Sequence, residues 1–478
     1  MIGNQERWQE DLFVAGPLSS LIPNDHILKR VDKVLDLSWL RREVADCYDE
    51  TMGRPSIDPE SALRLMLAGY FQGIVHDRKL MREAQVNLAI RWFAGFRLDE
   101  TLPEHSSLTK IRQRWGPERF KKIFQTTVQM CIEAGLVNGE TVHIDPTLIR
   151  ADVSWESLTT EYADKALKEN RLEVDSNEQS SRTGKPKKRS TTDPDATLTT
   201  SSCNSRMEPS FKQHTVVDDQ CGVILDVETT TGESSEGKEL LKQMERTEQT
   251  TGRKIKTVTA DMAYAHTENY SQLEQRRIEA IIPVQTSHTN PKHIPIQRFK
   301  YDARNQMVRC PRGKILRRSS RTEKGWVYRA ANKDCGSCSL RSRCISSTAK
   351  VRIVLIADGY ECLLRARRRW QNRDENIDEN IKDKYKRHKW RVEGVHGEAK
   401  TQHGLRRAAR RGLANVSIQV YLTAMVMNLK RLAAFLCLFS IRLCYRNRHR
   451  SDFGLIELTF NRLLPRRWEK YLIWKMAA

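Results

Sequence analysis

Apolar positions recur at helical spacing through residues 1–136. Asp58-Pro59-Glu60 reads as an N-cap followed by proline at the first helical position, opening the apolar-rich run Ala62–Phe71. Further helical patterns cover about 78–95 and 117–134. Between them, Ser106-Ser107 offers a cap for a short basic helix, Leu108–Trp115, carrying Lys110, Arg112 and Arg114. Several short helices with a basic one among them suit a helix-turn-helix-like DNA-binding module. The same pattern suits an all-helical packing domain whose charges form a solvated face.

The texture changes at Thr141. Thr141–Asp145 is short, β-prone and ends on a carboxylate before Pro146. Residues 157–210 are polar, rich in Ser, Thr and Lys and without usable periodicity, which predicts a flexible insertion. Strand patterns return at His214–Val217 and Val223–Thr229, separated by turn-forming residues 218–222, and read as a hairpin. A helix near 236–250 leads to a strand at Lys256–Ala260, again ending on a carboxylate, Asp261. A helix near 267–277 and a strand at Ala280–Val284 follow. Strands alternating with helices predict an α/β sheet. Residues 296–356 are β-like and hold clustered cysteines, and beyond 361 the chain is helical and very basic.

Composition narrows the partners. The chain has 478 residues, with 82 Lys+Arg against 60 Asp+Glu and a net charge of +22, which favours a polyanion, most often nucleic acid. The N-terminal stretch MIGNQERWQEDLF lacks a basic-then-apolar run, so no secretory signal is expected. Leu432–Ile441, flanked by Arg431 and Arg442, is about half the length of a bilayer span and reads as core helix. Eleven cysteines, an odd number, argue against a secreted disulfide scaffold and for a reducing cytoplasm.

Two constellations carry candidate chemistry. Asp145 and Asp261 each end a predicted strand, and Glu393 lies on a helical segment where Glu393, His396, Gly397 and Lys400 share one face. Three converging carboxylates suit two Mg²⁺ ions, which stabilise both the attacking and leaving oxygens of a phosphoryl displacement. Lone acidic residues at strand ends also serve as caps or surface charges. Cys335-x2-Cys338-x5-Cys344, with Cys310 upstream before the turn-like Pro311–Lys314, suits a structural tetrahedral Zn²⁺ site. Four free thiols are the plainer alternative. His143 and His266, beside the two Asp positions, suit either phosphate positioning or packing. The clusters 365–369 and 406–411, with Arg406 and Arg407, suit neutralisation of phosphates. No phosphate-binding Gly-rich loop and no GxSxG motif is present.

These residues fall within longer stretches that resemble the DDE-type transposases of bacterial insertion sequences, in the branch with a helical N-terminal domain and a cysteine-bearing insert. The likeness is carried by GRPSIDPESALRLMLAGYFQGI with LPEHSSLTKIR, by HIDPTLIRADVSW, by TADMAYAHTENY, by the insert YDARNQMVRCPRGK with CGSCSLRSRC, and by WRVEGVHGEAKTQHGLRRAARRGLANVSIQVYLTAMVMNLKRL. In this resemblance the catalytic acids fall on Asp145, Asp261 and Glu393, and a later DNA-contacting Lys on Lys400. Where the family has Tyr, two residues, Arg, three residues and then Glu, this chain has Lys386 and Lys389, with Tyr385 and Arg387 beside them. Asp152 is a nearby second carboxylate, but the HIDPT context favours Asp145.

The resemblance implies an α/β multidomain chain built on an RNase H-like catalytic core with insertions. The expected division is a helical DNA-binding domain at 1–136, the first part of the core at 137–295, a zinc-ribbon-like insert at 296–356, the helical basic remainder of the core at 357–435, and a C-terminal tail at 436–478. The implied activity is Mg²⁺-dependent DNA cleavage and strand transfer. Double-stranded DNA is the implied partner, as terminal inverted repeats and as target, with a homodimer or higher assembly on it and no membrane. Lys110, Arg112 and Arg114 are the expected end-recognising residues, and the expected location is cytoplasmic and nucleoid-associated. An inactive DNA-binding remnant and a nuclease without strand transfer are the alternatives.

Overall fold

Helices in chain order are α1 (Ile27–Asp32), α2 (Leu40–Glu43), α3 (Pro59–Phe71), α4 (Asp77–Val86), α5 (Leu88–Ala94), α6 (His105–Glu133), α7 (Leu240–Thr251), α8 (Thr267–Gln275), α9 (Asn332–Gly336), α10 (Arg341–Cys344), α11 (Tyr360–Gln371), α12 (Glu379–Gln402) and α13 (Leu413–Arg448). Strands are β1 (Thr141–Arg150), β2 (Leu158–Thr159), β3 (Arg189–Ser190), β4 (Thr197–Thr199), β5 (Glu208–Asp218), β6 (Ile224–Thr231), β7 (Thr257–Ala260), β8 (Glu279–Ile281), β9 (Lys300–Asp302), β10 (Met307–Arg309), β11 (Ile315–Thr322), β12 (Gly325–Arg329) and β13 (Ile353–Ala357). This computed structural model describes residues 16–49, 56–154, 158–159, 189–199, 207–284, 293–371 and 379–448. Most of the insertion expected at 157–210, and everything past 448, lie outside the described residues. The chain is mixed α/β, and among the described residues no helix is long and apolar enough to cross a membrane.

Two units divide the chain. The first joins 1–136, 148–211 and 397–478, so residues after 396 are grouped with the N-terminal helices rather than with the strands that precede them. Its start signal works as the sequence predicts: the Asp58 side chain accepts hydrogen bonds from the Glu60 and Ser61 amides at 2.8 and 3.1 Å. The Ser106-Ser107 cap does not form. The helix begins at His105 after Glu104, and the short basic helix expected at Leu108–Trp115 is separated by a kink from the one that follows; the two are labelled together as α6. Gly116, at φ +69°, breaks the helical backbone inside α6, and Pro117 reopens it. Trp115 and Phe120 are buried on either side of this kink. Helix α13 packs along α6, with Phe124 and Tyr421 stacked at 6.2 Å. Val416–Leu436 is almost wholly buried, as expected of a helix that is apolar all round. The helix runs to Arg448, past the boundary expected at 435.

The second unit covers 137–147 and 212–396. Its main strands lie in the order β6-β5-β1-β7-β8. Strand β1 is parallel to β7, and β7 to β8. Val142–Ile144 and all of β7 are buried, as in a parallel sheet covered on both faces. The 218–222 turn closes the β5–β6 hairpin, with the Asp218 amide donating to the Val223 carbonyl at 2.9 Å. A separate antiparallel sheet, β13-β12-β11-β10-β9, encloses a core of Val308, Leu316, Tyr328, Val354 and Ile356. Cys310, Cys335 and Cys344 pack against that core.

Candidate active site

Parallel pairing of β1 with β7 ends at Ile144 opposite Ala260. The next residues along the two strands are Asp145 and Asp261, so the register alone sets the two carboxylates side by side where the parallel pairing ends. Neighbouring strands are about 4.8 Å apart, close enough for strong repulsion between two anions. Burial, and then the Asp145 charge, push the Asp261 carboxyl up to about 6. The Asp261 side chain also accepts the Ala263 amide at 2.9 Å, capping the turn Met262–Tyr264. Asp145 departs from expectation in one respect. It does not end its strand, because the chain stays extended through Pro146 to Arg150, where Arg150 exchanges backbone bonds with Arg406 and Ala408.

Beneath the pair lies a buried polar network. The His143 Nδ1 sits 2.6 Å from Thr259 Oγ1, and its Nε2 is 2.9 Å from Asp219. Thr259 Oγ1 is also 3.0 Å from His388 Nδ1, and Arg387 pairs with Asp219 at 2.5 Å. His143 is therefore fully occupied within the fold and is not open to a phosphate. Burial holds His388 down to about 4, so its ring is neutral at pH 7. Two turns along α12 from His388, His396 is buried with Nδ1 3.5 Å from Asp145 and Nε2 3.2 Å from Thr215. Sequence reasoning missed this inward face. The signal was the spacing His388, Val392, His396, which repeats every four residues along one side of a helix.

Glu393 follows Val392 on the exposed side of α12 and has no ion-pair partner among the described residues. Among the described residues no three His, Cys, Asp or Glu side chains stand in metal-ligating geometry. The structure thus brings Asp145 and Asp261 together and does not gather Glu393 with them. Another acid does contribute: Glu236, paired with Lys212 at 2.9 Å, also raises the Asp261 carboxyl. Its turn is pinned to the Asp261 turn by Asn269, whose side chain donates to the Gly237 and Tyr264 carbonyls at 2.9 and 3.0 Å. A Cβ at Gly237 would stand 2.7 Å from the exposed His266 ring, which would have to move to admit a larger residue. Nothing in the sequence around Glu236 marks it, because it lies in a polar turn with several other acids.

The other three insert cysteines act electrostatically on Cys344, although the four do not stand in metal-ligating geometry. Burial pushes the Cys344 thiol up, Arg352 pulls it down, and Cys335, Cys338 and Cys310 each raise it. Cys310 opens the expected tight turn, accepting the Gly313 amide at 2.8 Å and donating to the Lys314 carbonyl at 2.9 Å. Arg341 and Arg352 donate to the Cys335 and Cys344 carbonyls at 3.1 and 2.8 Å.

Of the expected DNA contacts, Lys110, Arg114, Arg406 and Arg407 are exposed, while Lys400 is half-buried on α12. Arg114 lies over the Tyr48 ring at 4.7 Å, and Arg407 pairs with Asp152 at 3.1 Å. Arg112 is different. Only 3% exposed, it is paired with Asp77, which also takes Arg410 at 2.7 Å. A guanidinium buried in this way cannot reach a DNA backbone, so Arg112 leaves the contact set.

Residues 17–114 match a family model described as "Transposase domain (DUF772)", and residues 309–433 match one described as "Transposase DDE domain". Glu393, Lys400 and the four insert cysteines fall inside the second match; Asp145 and Asp261 precede it. Among solved structures, the chain is similar to a piggyBac transposase synaptic complex with hairpin DNA, at 12% identity and a TM-score of 0.32, over 92% of this chain and 84% of that one. No curated protein sequence matches it. The chain thus carries a transposase model near each end, the second of them a DDE domain.

Proposed function

We propose that the protein is a cut-and-paste DNA transposase with an RNase H-like core. In this reading it binds the terminal inverted repeats of its element, hydrolyses a phosphodiester at each end, and joins the freed 3′-hydroxyl to target DNA. The observation that carries the proposal is the Asp145–Asp261 pair. Two carboxylates follow the last paired residues of β1 and β7, near the ends of parallel pairing where open α/β sheets place functional groups, and burial first and then the Asp145 charge push the Asp261 carboxyl up, with no cation relieving it.

Such a pair fits a hard divalent cation, which prefers carboxylate oxygens and would offset the burial and repulsion that together raise Asp261. Asp145 and Asp261 would hold Mg²⁺, with Glu393 joining from α12. When bound, two such ions supply charge stabilisation at the attacking and leaving oxygens. His396, against Asp145, orients that carboxylate, and the His143–Thr259–His388 network fixes the strand ends below it. Cys310, Cys335, Cys338 and Cys344 would hold a structural Zn²⁺ through four thiolates. Lys110, Arg114, Lys400, Arg406 and Arg407 supply phosphate contacts, and two element ends brought together require at least a dimer on DNA.

A pre-cut 3′-hydroxyl end mixed with a supercoiled target plasmid and Mg²⁺ tests the reading. Joined product supports a transposase. Cleavage of uncut ends without joining would assign a nuclease, and binding with neither would assign an inactive remnant.

A further inference from the structure

The outer face of the insert sheet carries an arrangement that folding alone disfavours. Lys300 on β9 stands directly opposite Arg309 on β10, and Arg317 on β11 directly opposite Arg329 on β12. Directly opposed like charges destabilise an antiparallel pair. Opposed residues share a face, and the neighbours of these four in sequence, Tyr301, Val308, Leu316 and Tyr328, belong to the core on the other side. The four cations therefore share one outward face across four strands, about 14 Å wide at the usual strand spacing, with the two pairs in adjacent rows because Arg309 stands opposite Ile315.

All four are exposed, and among the described residues none is ion-paired. One carboxylate shares the face, Asp302 at the β9 edge, which accepts from the Asn305 amide at 3.2 Å and side chain at 2.8 Å and feels the Arg309 charge, leaving one anion against four cations. Beside these cations, Ile353 and Leu355 on β13 are 54% and 39% exposed. Elsewhere in the same sheet cations are compensated: Arg321 makes a two-pronged pair with Asp358 at 2.8 and 2.7 Å, and Arg318 lies over Trp326 at 4.4 Å. Repulsion left standing on one face only, and absent from the rest of the sheet, calls for an anion supplied from outside the chain.

Resting on the transposase reading, we infer that this face binds the phosphate backbone of duplex DNA through Lys300, Arg309, Arg317 and Arg329, with Ile353 and Leu355 against the sugars. The contact is blind to sequence, because phosphates position a duplex without reading it. It is a surface separate from the N-terminal helices and adds a second DNA-holding region to the chain.

The test uses the full-length protein and a duplex of arbitrary sequence, with Kd measured from 50 to 200 mM salt. Arg317→Gln/Arg329→Gln and Lys300→Gln/Arg309→Gln are compared with wild type and with Arg304→Gln, an exposed residue of the adjoining turn. Each phosphate contact contributes about 0.9 to the slope of log Kd against log salt, so each double variant should lower it by about 1.8, equally for any sequence. Arg304→Gln should leave it unchanged, and neither double variant should lower the Tm, because each removes a like-charge pair. A wild-type slope in both double variants, with wild type still binding salt-dependently, overturns the inference. An unchanged slope with altered sedimentation of the DNA-free protein also overturns it, and assigns the face to a second copy of the chain. No duplex binding by wild type would instead remove the transposase reading beneath it.

Discussion

Two carboxylates, Asp77 in the first unit and Asp261 in the second, meet opposite electrostatic surroundings. Burial works to raise both. At Asp77 the guanidiniums of Arg112 and Arg410 outweigh burial and hold the carboxyl below its usual range. At Asp261 the nearest strong charge is another carboxylate, and the group rises to about 6. The lesson concerns what buried charge is for. A charge compensated inside its own unit is part of the packing, whereas one left facing a like charge marks a place where a ligand completes the balance.

The largest expected effect lies at the compensated site. Asp77→Asn leaves the Arg112 guanidinium buried without its counter-charge, which costs about 3–5 kcal/mol. Urea denaturation followed by far-UV circular dichroism should show the lower midpoint. A midpoint within error of wild type would mean that the Arg112 pair is not structural, and would return Arg112 to the candidate DNA contacts.

A second compensated carboxylate in the first unit gives a pH test. Burial raises Glu398, but His403, Arg431 and Lys430 outweigh it and hold the carboxyl at about 2. Lys430 and Arg431 lie at 2.5 and 3.2 Å. Because the folded value lies below the unfolded one, the stabilisation is complete above about 4.5 and fades as pH falls towards 2. Glu398→Gln should therefore cost roughly 1–3 kcal/mol at pH 6, with the gap from wild type closing on acidification. A gap independent of pH would assign the loss to packing rather than charge.

Asp261 should behave with the reverse sign and a smaller size. Its folded value lies above the unfolded 3.8, so its cost to stability is absent below about pH 4 and complete above about 6. In EDTA, Asp261→Asn should raise the Tm at pH 7.5 and leave it unchanged at pH 4. A lowered Tm at pH 7.5 would place Asp261 among the packing residues, alongside Asp77. The smallest change is expected for Arg114→Gln, an exposed residue, which should reduce the salt slope of DNA binding by about 1 with no loss of stability.

Much of this was legible in local pattern. The Asp58 cap, the 218–222 hairpin turn and the strand ending at Ala260 each depend on a few neighbouring residues, and each lies where the sequence predicts it. The placing of Asp145 beside Asp261 needed more, since it follows from parallel pairing across more than a hundred residues. What stayed hidden depends on partners distant in sequence. Arg112 looks like its exposed neighbours Lys110 and Arg114 until Asp77 and Arg410 surround it. The extension of β1 past Pro146 depends on backbone bonds from residues 406–408. Helix α13 reads as part of a basic C-terminal region, yet its apolar circumference is buried along α6.

The most direct test of the central claim is strand cleavage on a labelled duplex carrying the inverted repeat that flanks the gene, with Mg²⁺, comparing wild type, Asp261→Asn and Glu393→Ala. The account predicts cutting at the element boundary by wild type alone, while both variants still bind the duplex. Cutting by Asp261→Asn at the wild-type rate would contradict it, because the uncompensated carboxylate pair would then be no part of the chemistry.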